Sequence, residues 1–308
     1  MTFREIFESG ETILTEGSII EYIRRKTDVM LHPVLLNSAL VGDYDGERLL
    51  RRIWNEYIDP AEEFDLPIIL LTPTWRANRL NVANCADFEE INTRASEFLQ
   101  SLRKDRGSFA DKIFIGGLMG PRGDAYDPSE AMPEDDAAEF HCWQASRLAR
   151  SGVDFLMAST LPETGEAAGI ARAMESTGKD YVVSFVALKT GKLPGGNTLS
   201  AAMDYIDSAV DRKPYIYMLN CVHPENAASA IGNDPASEGR IAGIQGNASP
   251  LDPQELDNAS VLHATDPGQW VDEMYDFGNK YDIKILGGCC GTDPRFIRQL
   301  AKRIRNVR

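Results

Sequence analysis

The sequence has no long apolar run and a shortage of positive charge. No stretch approaches the ~18 apolar residues that a membrane-spanning helix needs. The chain holds 32 Lys and Arg against 47 Asp and Glu, a formal net charge of −15. Nucleic-acid binding requires a basic face, so we expect no nucleic-acid partner. Because no long apolar run is present, we also expect no membrane partner. The segment from Met1 to Gly10 is polar and of mixed charge, which does not fit a signal peptide and favours a cytoplasmic location.

Cysteine is also scarce, and its count is odd. Five cysteines occur in 308 residues, a length that can bury a core without covalent staples. This favours a reducing compartment in which the thiols are free or bound to metal. Cys85 and Cys142 fall in or near segments of helical spacing, and we expect them to pack in the core. Cys221, Cys289 and Cys290 instead follow strand-like runs.

Strand-like and helix-like segments alternate along the chain. Eight apolar runs have strand length: Thr12–Leu14, Ile68–Leu71, Ile113–Ile115, Phe155–Met157, Tyr181–Val186, Ile216–Leu219, Ile241–Ile244 and Ile283–Leu286. Segments of helical spacing follow them: Ile19–Lys26, Glu47–Tyr57, Phe88–Leu102, Glu134–Ser151, Glu163–Thr177, Ser200–Val210, Pro224–Ile231, Pro267–Lys280 and Pro294–Arg305. Eight such alternations predict a (β/α)8 TIM barrel.

The barrel accounts for the whole chain. We expect one domain over residues 1–308, with extra helices in a long first βα connection and a long loop at Asn247–Ala264. The alternative is an open doubly wound sheet. No G-x-G-x-x-G follows the first strand, which argues against that alternative.

The stretch Lys284–Thr292 reads K-I-L-G-G-C-C-G-T and ends the last predicted strand with two adjacent cysteines. Adjacent side chains of an ideal strand point to opposite faces, so both thiols can face one site only if the chain leaves the strand there. Gly287 and Gly288 allow such a bend. Cys221 ends the sixth predicted strand. The C-terminal strand ends of a TIM barrel share one rim, so the three thiols predict a metal site built by the fold.

The ligand type indicates what such a metal would do. Zinc with three protein ligands and one open position is the catalytic pattern. Three thiolates make the ion a poor Lewis acid for water, but they suit a fourth sulfur whose pKa the metal lowers. We therefore predict attack by a zinc-bound substrate thiolate on an activated carbon. The alternatives are that the three cysteines are plain buried residues, or that they form a disulfide or redox pair.

Two motifs resemble one family. G-G-C-C-G-T-D-P at Gly287–Pro294 and N-C-V-H-P-E at Asn220–Glu225 resemble the homocysteine S-methyltransferases, and weaker similarity runs along almost the whole chain. The resemblance implies a barrel that carries Zn2+ on Cys221, Cys289 and Cys290. It also implies transfer of a methyl group from a small onium donor to the thiol of homocysteine, which gives methionine.

Three positions depart from the family pattern. Glu16-Gly17 stands where the family has Asp-Gly, and Ser159 replaces a glutamate; in the family these two acids hold the amino group of homocysteine. Arg76 falls where some relatives place a tyrosine that can approach the metal. Arginine cannot be a ligand, so it either pairs with a substrate carboxylate or points to solvent. A different thiol acceptor, a corrinoid protein as donor, and a non-catalytic zinc or redox barrel remain alternatives.

Three further side chains at the predicted rim could have either a role in the site or a purely structural role. Trp75 could pack on a cationic donor by cation–π contact or simply fill the rim. Asn220 could orient the site or cap the next helix, and His223 could contact substrate or cap a loop. The residues that we expect to bind substrates are Glu16, Gly17, Trp75, Arg76, Ser159, Asn220 and Gly288. The expected partners are a small-molecule thiol and a methyl donor, and a homo-oligomer is left open.

Overall fold

A computed structural model describes residues 1–85, 87–251 and 265–306. Eight parallel strands close into a barrel in sequential order, with each strand beside its neighbours in the chain and β1 paired with β8. This confirms the predicted (β/α)8 barrel. The strands are β1 Ile13–Thr15, β2 Ile68–Leu71, β3 Ile113–Met119, β4 Phe155–Leu161, β5 Tyr181–Phe185, β6 Ile216–Val222, β7 Ile241–Gly246 and β8 Ile285–Gly288.

Helices cover the outside of the barrel. The helices described are α1 Phe3–Glu8, α2 Ile19–Lys26, α3 Tyr44–Glu63, α4 Arg79–Ala83, α5 Ile91–Lys104, α6 Glu134–Arg150, α7 Thr164–Glu175, α8 Leu199–Ala209, α9 Pro224–Asn233, α10 Pro267–Lys280 and α11 Pro294–Arg305. The bounds of α10 and α11 agree with the prediction, because an aspartate caps each helix and a proline follows it at the first helical position. No helix among the described residues is long and apolar enough to cross a membrane.

Several strands run further toward the rim than their apolar stretches predict. β3, β4 and β6 end at Met119, Leu161 and Val222, beyond the predicted ends at Ile115, Met157 and Leu219. The added residues include glycines and polar side chains. They stay in the barrel because their polar groups are paired inside it, and hydropathy alone cannot show this pairing.

The first βα connection is extended, as predicted. It contains α2, a 3-10 helix at Asn37–Leu40 and the 20-residue α3. Asp43 caps α3 by accepting a hydrogen bond from the Gly46 N–H at 2.7 Å. Trp54, on the buried face of α3, is fully buried and reaches the barrel rim. This connection therefore supplies a wall of the site described below.

The short helix α1 is a feature that the sequence analysis missed. Thr2 and Glu5 form a reciprocal capping box at its start. Phe3 is buried and stacks on Phe155, with ring centroids 4.2 Å apart. Since Phe155 begins β4, α1 closes the N-terminal end of the barrel with apolar side chains.

Two expectations need correction or fall outside the description. Cys85 is half-buried and packs against the core, but Cys142 is exposed, so its predicted core position is wrong. Cys142 lies on a solvent-facing position of α6, where helical spacing alone does not separate the two faces. Of the predicted loop at Asn247–Ala264, residues 252–264 lie outside the described part of the chain.

Candidate active site

Two strand ends bring the three cysteines together. Cys221 lies near the end of β6, and Cys289 and Cys290 directly follow β8. Their sulfur atoms all lie within 4.8 Å of one another. Two sulfur atoms that each bind one zinc ion at about 2.3 Å are less than about 4.6 Å apart, so small side-chain rotations suffice for a shared ion. The geometry and the soft donor set fit a thiophilic metal.

The sulfur atoms of Cys221 and Cys289 are in close contact, while Cys290 keeps a free thiol. The disulfide alternative of the sequence analysis stays a prediction. The Cα atoms of Cys221 and Cys289 are 5.5 Å apart. Burial raises the pKa of the Cys290 thiol to about 12, so without a bound cation this group stays protonated at neutral pH. Metal binding at this site therefore requires reduced cysteines.

The backbone at the strand ends is shaped for this convergence. Cys221 has a positive φ of 54°, next to a register shift between β6 and β7. A bulge of this kind redirects a side chain next to a functional site. A Cβ on Gly287 would come within 2.8 Å of Thr15 Cβ, and one on Gly288 within 2.8 Å of Thr292 Cβ. Gly287 is therefore needed for the close approach of β8 to β1, and Gly288 for the close approach of the following loop at Thr292.

Hydrogen bonds fix the loop that carries Cys289 and Cys290. The Cys289 N–H donates to the Gly246 carbonyl at 2.8 Å, and the Cys290 N–H donates to Asn247 Oδ1 at 3.1 Å. The Gly291 N–H donates to the Glu21 carboxylate on α2. These hydrogen bonds hold the backbone of the loop that carries both thiols.

Asn220 joins three strand ends through its side-chain amide. Its Oδ1 accepts hydrogen bonds from the Thr160 N–H at 2.9 Å and from Ser184 Oγ at 2.7 Å, and its Nδ2 donates to Thr160 Oγ1 at 2.7 Å. Thr160 has a positive φ of 64°, which this network holds in place. His223, not Asn220, caps α9. The contacts therefore favour the orienting interpretation of Asn220 over the capping one.

A cavity of about 330 Å³ opens beside the cysteines. The three cysteines line it, and so do six of the seven residues predicted to bind substrates: Glu16, Gly17, Trp75, Ser159, Asn220 and Gly288. The cavity is therefore where a substrate would meet the sulfur cluster.

Glu16 is a buried carboxyl group in this cavity. It accepts hydrogen bonds from Trp54 Nε1 and from the Leu71 N–H, both at 3.0 Å. It forms no ion pair with any residue in the described ranges. Burial raises its pKa to about 8, against the two hydrogen bonds, which act in the opposite direction. A cationic group entering the cavity would supply the missing charge partner.

Arg76 lies outside the lining of the cavity. Its guanidinium donates to the Gly123 carbonyl at 2.8 Å and lies 5.5 Å from the Trp75 ring centroid. Arg76 thereby ties the loop after β2 to the loop after β3. Its pairing with a substrate carboxylate stays a prediction. Trp75 itself lines the cavity and donates through Nε1 to the Ser159 carbonyl at 3.4 Å.

The cavity also includes residues that the sequence analysis did not select. Glu21 and Arg24 come from α2, and Tyr126 comes from the loop between β3 and α6. Burial raises the pKa of the Tyr126 phenol, and the neighbouring Cys290 contributes in the same direction. These residues belong to no strand end and to no motif, so only the folded chain places them together.

Two buried histidines, His223 and His141, have structural contacts. His223 Nδ1 accepts from the Glu225 N–H at 3.3 Å, and burial lowers the pKa of His223 to about 4. This neutral ring fits the capping interpretation. His141 is fully buried in α6, with Nε2 lying 3.2 Å from Glu166 Oε1.

Comparisons with known proteins agree with this geometry. A family profile described as homocysteine S-methyltransferase matches residues 13–304. The chain is 25% identical over 227 residues to the homocysteine S-methyltransferase YbgG of Bacillus subtilis, covering 71% of this chain and 70% of that protein.

Solved structures of the homocysteine methyltransferase MmuM from Escherichia coli share the fold. The metallated form has a TM-score of 0.76 at 17% identity and covers 97% of this chain and 99% of that one. The oxidized form has a TM-score of 0.77 at 17% identity, over 97% and 98%. The profile match spans nearly the whole barrel, from β1 into α11, and includes both cysteine motifs. The chain therefore belongs to the homocysteine S-methyltransferase family, whose members are methyltransferases that act on homocysteine.

Proposed function

We propose that this protein moves a methyl group from a small onium donor to the sulfur of homocysteine, with zinc held by Cys221, Cys289 and Cys290. The observation that carries the proposal is the convergence of three cysteine sulfur atoms on a cavity that also contains the buried carboxyl group of Glu16. A zinc ion on three thiolates would supply one open position for the substrate sulfur and would favour its thiolate form.

The chain's own residues offer contacts for the rest of homocysteine. Glu16 has no cationic partner among the described residues, and an ammonium group would compensate its charge and favour its ionised form. Ser159 lines the same cavity and offers a hydroxyl. Asn220 holds the β4 rim next to Ser159 through Thr160. These contacts would orient the acceptor with its thiol toward the cysteines.

The transfer itself is an in-line displacement. A lone pair of the acceptor sulfur forms the new S–CH3 bond, while the bond from the methyl carbon to the donor's nitrogen or sulfur breaks. The leaving group takes that electron pair and departs as a neutral amine or thioether, so it needs no general acid. Alignment of both substrates in one cavity supplies much of the rate. Because the site needs reduced thiols, we also propose a reducing compartment, the cytoplasm.

The first experiment measures zinc content and zinc-edge X-ray absorption on the reduced protein, with and without homocysteine. The proposal predicts one zinc per chain with three sulfur neighbours, rising to four when homocysteine is added. Cys290→Ala should lose zinc or show one sulfur fewer.

A panel of onium donors, including S-methylmethionine and betaine, then tests methionine formation. A sulfur count that stays at three would indicate a different acceptor. Intact, reduced protein that binds no zinc would contradict the proposal and favour the redox interpretation.

A further inference from the structure

The cavity mouth holds a cation that the proposed function has not used. Resting on that function, we propose that Arg24 binds a carboxylate of the methyl donor and so selects onium donors that carry one. Arg24 lines the cavity together with the cysteines, but its side chain is exposed on the solvent side. With Tyr126, it is one of the exposed residues of the cavity lining that an incoming second substrate would meet.

The helix α2 aims Arg24 at the cavity. α2 begins directly after Gly17 and Ser18. The Oγ of Ser18 accepts a hydrogen bond from the Glu21 N–H at 3.3 Å. Glu21 and Arg24 are three residues apart and so lie on one face of the helix. Glu21 accepts from the Gly291 N–H, directly after Cys290. This contact anchors the Arg24 face of α2 to the cysteine loop.

Arg24 is available for a ligand. Its neighbour Arg25 lies 3.6 Å from Glu21 Oε1, but Arg24 itself forms no hydrogen bond or ion pair with any residue in the described ranges. The chain carries 47 acidic side chains against 32 basic ones, yet no described acidic side chain pairs with Arg24. A guanidinium binds a carboxylate through two parallel hydrogen bonds.

The other walls fit the onium end of the same molecule. The rings of Trp75 and Tyr126 line the cavity with Arg24. A methylated cation is attracted to the face of an aromatic ring. A donor with its carboxylate on Arg24 at the mouth would place its onium group between Arg24 and the cysteines. Glu16 lines the same cavity but is buried, and it is left for the acceptor.

A second role for Arg24 would be purely electrostatic. Its positive charge favours the ionised form of the nearby Cys290 thiol, and such a general effect would not depend on the donor's structure. The two roles therefore differ in one observable, the preference between a donor acid and its uncharged carboxamide.

The test measures kcat/KM for methionine formation with S-methylmethionine and betaine, each compared with its carboxamide. The reduced, zinc-loaded protein is used as wild type, Arg24→Gln, Arg24→Lys and Lys26→Gln. We expect wild type to prefer each accepted acid over its amide by about 10- to 100-fold, the range of a charge-assisted hydrogen bond. Arg24→Gln should abolish the preference through the donor KM, and Arg24→Lys should restore part of it. Lys26→Gln removes the same charge from an exposed position outside the cavity lining and should keep the preference.

Each other outcome is decisive. An acid-to-amide ratio that is unchanged in Arg24→Gln overturns the assignment and leaves the methyl transfer intact. A rise in the KM of homocysteine instead of the donor would place Arg24 on the acceptor and also overturns it. Absence of methionine with every donor, from zinc-loaded wild type, overturns the proposed function and this assignment with it.

Discussion

The two ends of the barrel are built on opposite principles. At the C-terminal rim, Thr160 and Cys221 hold positive φ angles and buried polar groups are joined by hydrogen bonds. At the N-terminal end, α1 inserts Phe3 among apolar side chains, and Phe3 stacks on Phe155. Strand β4 serves both ends, since it begins at Phe155 and reaches the site at Ser159 and Thr160.

The difference shows that the N-terminal end of the barrel mainly stabilises the fold, whereas the C-terminal rim carries the candidate active site. Apolar contacts at the N-terminal end contribute stability without presenting any reactive group. Backbone strain and buried polar groups at the rim cost stability and are retained where side chains converge. Substitutions at the two ends should therefore affect different measurements, and the following predictions test that separation.

The largest effect should follow from loss of a cysteine at the rim. Cys289→Ala removes one of three converging sulfur atoms, so we expect methyl transfer to fall by more than about 100-fold, the upper range for residues that only support a metal ligand. Bound zinc should fall in parallel, while the melting temperature of the reduced protein changes little. Cys142→Ala is the control, because Cys142 is exposed on α6. Full activity in Cys289→Ala would contradict a role of this cluster in the reaction.

The opposite result is expected at the other end. Phe3→Ala removes a buried aromatic ring that stacks on Phe155, and should lower the free energy of unfolding by about 3–5 kcal/mol. Urea denaturation measures this loss, and kcat/KM at 25 °C should remain that of wild type. Phe7→Ala is a milder control, since Phe7 is only partly buried against the same cluster. A large loss of activity in folded Phe3→Ala would show that the two ends are coupled.

Asn220→Ala should lower both stability and activity, because this side chain pairs buried polar groups and also holds the shape of the rim. Its removal leaves the Thr160 N–H and Ser184 Oγ without their acceptor, at a cost of about 1–3 kcal/mol for each buried group left unpaired. Activity should also fall by about 10- to 100-fold as the rim relaxes. Ser184→Ala removes a single one of these contacts and should show a smaller loss in both assays. Unchanged activity in Asn220→Ala would mean that the rim holds its shape without this network.

The sequence predicts those parts of the molecule that depend on local patterns. The eight alternations determine the barrel, and the motifs at Asn220–Glu225 and Gly287–Pro294 predict which strand ends meet. Capping signals are equally local, which explains the agreement at α10 and α11. The capping box of Thr2 and Glu5 is also a local sequence signal. However, α1 is only six residues long, which is too short to show a helical periodicity of apolar residues.

Side-chain direction is what the sequence could not provide. Arg76 follows a strand end, yet it turns away from the cavity because the Gly123 carbonyl, on another loop, accepts its hydrogen bond. Arg24 lies on a helix of the long first connection, and the contact between Glu21 and Gly291 ties that helix to the cysteine loop. Both contacts join residues far apart in sequence, so no periodicity encodes them.

The last prediction concerns the pH dependence of stability, measured on the reduced, zinc-free protein. Burial raises the pKa of Glu16 from 4.5 to about 8 in the folded chain. Between these values the unfolded chain has released this proton and the folded chain still holds it, so the stability due to Glu16 is full below pH 4.5 and falls as pH rises toward 8. Glu16→Gln should remove this decline, seen as a flatter plot of unfolding free energy against pH from 5 to 8. Glu89→Gln, at an exposed position outside the cavity, is the control. An equal slope in wild type and Glu16→Gln would mean that the folded chain holds Glu16 ionised, and would place a cationic partner in the cavity even without substrate.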